Sequence, residues 1–167
     1  MKSLSGKFQH LGEIKPGATI ATSSSGEYSM HELLEYLLGI TGPASVQVSS
    51  FSISEVAIRT FYNLMEKGTI TQMECLFDIS VKRHKLGLLY FVNNIGCRIA
   101  LSKNHAKILL LENTNWKLVV VGSANLQLND KNEVAVISTD PGFYYYYSNT
   151  FRLWFSKALT ISPDEFK

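Results

Sequence analysis

Two short stretches of this 167-residue sequence hold side chains suited to work on a phosphate. His105 and Lys107 stand at the head of the apolar run "HAKILLL", and the later run "WKLVVV" ends in Gly122-Ser123-Ala124-Asn125. In a strand alternate side chains share a face, so His105 and Lys107 point the same way, and Leu109 and Leu111 carry that face inward. The imidazole and the ammonium are then left at the rim. Gly122 lets the chain turn sharply, after which Ser123 and Asn125 present a hydroxyl and a carboxamide. If the two runs pair as strands, these groups converge. Together they suit a tetrahedral phosphate, with donors for the non-bridging oxygens and a ring nitrogen able to attack phosphorus. Each residue also has a plainer reading: Lys107 solvated at a strand end, Ser123 stabilising a turn, Glu133 exposed on a strand.

The order His105, Lys107, an acid at 112, Gly122-Ser123-x-Asn125 and then Glu133 resembles the signature of the phospholipase D superfamily, HxKx4D followed by GSxN. The resemblance is sharp from His105 to Glu133, and is greatest to the small nucleases that carry one such motif per chain. It implies an α/β sandwich and a metal-independent phosphodiesterase with no cofactor. His105 would attack phosphorus to give a phosphohistidine, and a second histidine would protonate the leaving oxygen and then activate water. Lys107 and Asn125 would hold the non-bridging oxygens, Ser123 would add a hydrogen bond, and Glu133 would orient a histidine. Lys103 is a further candidate for substrate binding. The family's usual aspartate is Glu112 here, and the resemblance gives that acid a supporting role, with Gly122 supporting the turn.

None of His10, His31 or His84 has a lysine two residues on. The second catalytic histidine is therefore expected from another copy of the chain, in a twofold homodimer with one composite site. Nucleic acid is the expected substrate. A phospholipid or other small phosphodiester, and a non-catalytic phosphate-binding module, are the alternatives; no apolar approach surface for lipid is evident in the sequence.

The elements that must position these residues read as a mixed β-sheet flanked by helices. A strand is expected at Thr19–Thr22. The Ser29/Glu32 capping box opens a helix from Met30 to about Leu38. Ala44–Ser50 reads as a strand, and a Ser52/Glu55 capping pattern opens a helix that closes at Gly68. Gln72–Ile79 reads as a strand, Lys82–Asn93 as a helix with a basic first turn, and Arg98–Leu101 as a strand. Ala106–Leu111 and Lys117–Val121 pair across "ENTN", and Asn132–Ser138 follows. A helix from Pro141 to about Leu159 aligns Phe143, Tyr147, Phe151 and Trp154 on one face. That face suits core or dimer packing, or base stacking.

Composition sets the outer bounds. The chain is 46% hydrophobic and 18% charged, the range of a globular protein, and its length suits one domain spanning 1–167. No apolar run reaches the roughly 20 residues of a membrane span, and the first residues lack the apolar segment of a secretory signal, so a cytoplasmic protein without membrane association is expected. Cys75 and Cys97 read as buried free thiols, and the four histidines form no metal-binding spacing. The net charge is only +2, yet Ile79 to Leu111 holds Lys82, Arg83, Lys85, Arg98, Lys103 and Lys107 with no acid. That segment reads either as a basic face for a polyanion or as solvated helix and loop ends.

Overall fold

In the computed structural model, which describes residues 4–128 and 130–161, eight strands form one mixed sheet. A short helix, α1 (Leu4–Lys7), and a 3-10 turn precede β1 (Thr19–Ser24). The order then runs α2 (Met30–Thr41), β2 (Ala44–Ser50), α3 (Glu55–Glu66), β3 (Ile70–Asp78), α4 (Ser80–His84), α5 (Leu86–Asn94) and β4 (Arg98–Ser102). It continues with β5 (Ile108–Glu112), β6 (Lys117–Gly122), β7 (Glu133–Ser138), α6 (Pro141–Lys157) and β8 (Leu159–Thr160). Across the sheet the order is β1-β7-β6-β5-β2-β3-β4-β8, with β2, β3 and β4 parallel and every other pairing antiparallel.

Strand alternation sorts the side chains into two layers. Val46, Val48, Cys75, Phe77, Leu109, Leu111 and Val120 face α2, α3 and α5, while Leu76, Ala100, Ile108, Leu110 and Val119 face α6. Each fully buried Leu or Phe here contributes about 2 kcal/mol relative to exposure. The predicted capping box is present: Ser29 Oγ accepts from the Glu32 amide at 3.3 Å, and Glu32 Oε2 accepts from the Ser29 amide at 2.9 Å. Cys75 and Cys97 are buried free thiols.

Four local expectations need correction. The cap of α3 is Ser54, whose side chain accepts from the Ala57 amide, and not Ser52, whose hydroxyl is engaged by Gln127 and Lys85. The basic helix begins earlier, because Asp78 Oδ1 accepts from the Ser80 amide at 2.9 Å, and it breaks at Lys85. Lys85 leaves helical geometry and turns its ammonium back onto Ser52 Oγ and the Ile53 carbonyl. The strand expected from Ala106 starts at Ile108, so His105 and Lys107 lie in the approach to it. The buried seam of α6 is Tyr144, Ser148, Phe151 and Phe155. It is rotated from the expected aromatic face because Tyr144 donates its hydroxyl to Glu112 at 2.9 Å; Phe143 and Tyr147 only border the seam, and Trp154 stays 39% exposed.

Register places the ends that matter along one edge of the sheet. Ser49 pairs with Ile108, Asp78 with Ser102, Ile108 with Val121, and Gly122 with Ala135. The carboxyl ends of parallel β2, β3 and β4 therefore meet the start of β5, the end of β6 and the start of β7. In open α/β sheets this is the edge where ligands bind.

Candidate active site

The segment before β5 is held by a buried polar clamp. Asp78 Oδ2 accepts from the Asn104 amide at 2.9 Å, and the Asn104 side chain donates to Ser49 Oγ, the Ser50 carbonyl and the Leu76 carbonyl at 3.0–3.3 Å. Asn104 Oδ1 accepts from the Ala106 amide at 3.2 Å. Burial favours the neutral Asp78 carboxyl, but hydrogen bonds from Ser80 and Asn104 outweigh it and hold the group below its ordinary 3.8. His105 therefore projects from a fixed backbone into solvent.

Lys107 is buried, and its ammonium lies 3.0 Å from His105 Nδ1, 3.3 Å from Nε2 and 2.6 Å from the His105 carbonyl, to which it donates. Burial lowers its pKa from the ordinary 10.5, with the Glu133 carboxylate opposing that shift. Ser123 donates to Glu133 Oε2 and accepts from the Val134 amide at 3.0 Å. Phe51, at the end of β2, links the remaining parts: its amide donates to Asn125 Oδ1 at 3.2 Å, and its ring lies 5.1 Å from the His105 ring and 5.8 Å from the Lys107 ammonium. With its carbonyl so used, Asn125 keeps its NH2 as the donor end.

The sheet edge thus pairs His105 with Lys107 and Ser123 with Glu133, couples Lys107 to Glu133 through charge, and reaches Asn125 through Phe51. Lys103 is exposed and shares a cleft with His105. Glu112 sits at the far end of β5, where it binds the Lys117 ammonium and the Tyr144 hydroxyl. Gly122 is glycine for want of space: a Cβ would fall 2.5 Å from the Val134 carbonyl and 2.9 Å from Ala135 Cβ. The expected sharp turn is not the reason, as its φ is not positive.

The basic segment does not form a single face. Lys82, Arg83 and Lys103 are exposed near the site edge, whereas Arg98 begins β4 at the other end of the sheet, paired with Glu74 and lying over Phe155. Lys107 is inside. The other histidines serve elsewhere: His10 meets Thr22 Oγ1 at 2.9 Å, buried His31 meets Ser29 Oγ at 3.0 Å, and His84 lines a neighbouring cleft with Phe51 and Lys85. Among the described residues no three His, Cys, Asp or Glu side chains form a metal-binding group, and no helix is long and apolar enough to cross a membrane.

Asp78, Asn104, Ser49 and Phe51 escaped the sequence reading. Only Asn104 carried a signal, a carboxamide directly ahead of His105. The clamp joins residues 26 to 55 positions apart, which no local pattern records.

The mixed eight-stranded sheet and its two helical layers form a phospholipase D-like α/β fold. Among solved structures the chain is similar to the phospholipase D family member Nuc from Salmonella typhimurium, with a TM-score of 0.69 and 15% identity over 86% of this chain and 97% of that one. It is also similar to NucT from Helicobacter pylori, with a TM-score of 0.66 and 16% identity over 86% of this chain and all of that one. Polyphosphate kinase from Porphyromonas gingivalis matches 92% of this chain with 27% of its own, at a TM-score of 0.63 and 14% identity. No protein-family model matches the sequence, and no curated protein matches it. At these identities the likeness defines the fold, and the activity must be argued from the site.

Proposed function

We propose that the protein is a metal-independent phosphodiesterase acting on nucleic acid through a covalent phosphohistidine. The observation that carries this reading is the contact of an exposed imidazole with a buried ammonium, His105 with Lys107, at the ligand-binding edge of a phospholipase D-like sheet. A neutral imidazole carries one ring nitrogen with a lone pair able to attack phosphorus, and the adjacent ammonium can hold the phosphate oxygens. In the first step a His105 nitrogen attacks phosphorus while the P–O bond to the leaving strand breaks. A second histidine gives that oxygen its proton. In the second step the same histidine takes a proton from water, which attacks the phosphohistidine and restores free His105. Lys107 and the Asn125 NH2 hold the non-bridging oxygens as charge gathers on them. Ser123 and Glu133 brace each other beside Lys107.

His10 and His31 are engaged elsewhere and His84 lines the next cleft beyond Phe51, so the second imidazole is assigned to His105 of a twofold partner. Lys107 and its symmetry mate supply the positive charge, and cleavage should continue in EDTA. The test is a nicking assay on plasmid and single-stranded substrates in EDTA, with wild type beside His105→Ala. The expected result is cleavage by wild type alone, with acid-labile labelling of the protein by 32P-substrate lost in the variant. Unchanged cleavage by His105→Ala would end the proposal.

One observation favours a second reading. Phe51, Ile79 and Leu86 are 37–50% exposed, with Phe51 against His105 and the other two flanking the basic α4. This apolar rim was not evident in the sequence, and it suits a phospholipid approach. Faster turnover of phosphatidylglycerol vesicles than of nucleic acid would select it.

A further inference from the structure

His105 opens onto a cleft of about 420 Å³ whose far wall comes from the end of α6. Lys103 and His105 line one side, and Trp154 and Lys157 the other. The seam of α6 is filled by Tyr144, Ser148, Phe151 and Phe155, which leaves Trp154 at its margin and 39% exposed. A large aromatic surface is therefore kept in water beside the reactive imidazole. Lys157 is exposed in the last turn, where the helix dipole favours a cation.

From this arrangement we infer that Trp154 is a base-stacking platform for single-stranded nucleic acid, with Lys103 and Lys157 holding phosphates on either side of it. The inference rests on the phosphodiester reading of the His105 site. Three features select the occupant. Two ammonium groups beside an aromatic face match the alternation of phosphate and base along a strand. The volume lies in the range that holds a ligand of nucleotide size. In a duplex both faces of a base are covered by its neighbours, so a base reaches Trp154 only from a single strand, a frayed end or a flipped nucleotide.

The experiment compares wild type, Trp154→Ala, Trp154→Phe and Lys157→Ala on a single-stranded 12-mer and on the same strand with abasic sites near the cleaved bond. Affinity is read by fluorescence anisotropy and cleavage by gel, and circular dichroism checks each fold. Wild type should bind the normal strand about tenfold more tightly than the abasic one, the contribution of one stacked base. Trp154→Ala should lose that discrimination, and Trp154→Phe should keep most of it. Lys157→Ala should reduce the slope of log affinity against log salt by roughly 0.7, one phosphate on a single strand. Equal discrimination in wild type and Trp154→Ala would overturn the inference even with cleavage intact. Discrimination that depends on Trp154 without any cleavage would keep the platform and refute hydrolysis.

Discussion

Lys107 lies two residues from His105 with its ammonium against the ring, and its burial makes its charge sensitive to alkali. Removing the ammonium in Lys107→Ala should lower kcat by about 10²–10³, the usual effect of losing one donor to a developing oxyanion. The pH dependence follows from its surroundings. Burial favours the neutral amine, so the active ammonium is lost at a lower pH than an ordinary lysine's 10.5. The alkaline limb of kcat/KM should fall correspondingly early. Glu133 opposes that shift, so Glu133→Gln should move the limb to still lower pH, while Lys107→Arg should flatten it. A limb unmoved by both substitutions would assign the alkaline titration to another group.

At the scale of elements, each end of β5 is fastened by a different device. At the site end, Asn104→Ala would remove a buried donor from the Leu76 and Ser50 carbonyls, at a cost of about 2–4 kcal/mol. Assayed below its melting range, this variant should lower kcat about tenfold with KM nearly unchanged, as expected when a positioning residue lets the nucleophile drift. At the far end, Glu112 lies below its ordinary 4.5, first because Lys117 donates to it and also because Tyr144 does. A carboxyl lowered by folding stabilises fully above its unfolded value and loses that contribution as pH falls through the folded one. Acid-induced loss of Tm between about pH 5 and 3 should therefore be shallower in Glu112→Gln than in wild type. Its cleavage at neutral pH should stay within a few-fold, because Glu112 does not reach the cleft.

For the whole molecule, the site reading calls for two copies. Light scattering coupled to size exclusion should give twice the chain mass at micromolar concentration. When wild-type and His105→Ala chains are co-expressed in equal amounts, a shared site should leave about one quarter of full activity and independent sites about one half. His84→Ala should change little, whereas its inactivation would shift the acid role to His84 within one chain. Much of the path to this site was legible in the sequence. His105, Lys107 and the Gly122–Asn125 turn stand in recognisable order, and Ser29 with Glu32 announced α2. The remainder depends on contacts between distant residues. The rotation of α6 follows from Tyr144 meeting Glu112, the break at Lys85 from its reach to Ser52 and Ile53, and the setting of His105 from the Asp78–Asn104 clamp. Periodicity records which residues are apolar, not which polar groups find each other across the sheet.

The space denied at Gly122 has a practical outcome for anyone surveying variants. Even alanine would wedge β6 from β7 and carry Ser123 and Glu133 out of line, though residue 122 has no side chain of its own to offer a ligand. A survey scored by turnover would rank this glycine beside His105. A parallel survey of protein abundance would separate them, with the histidine variants accumulating normally and every replacement of the glycine depleted.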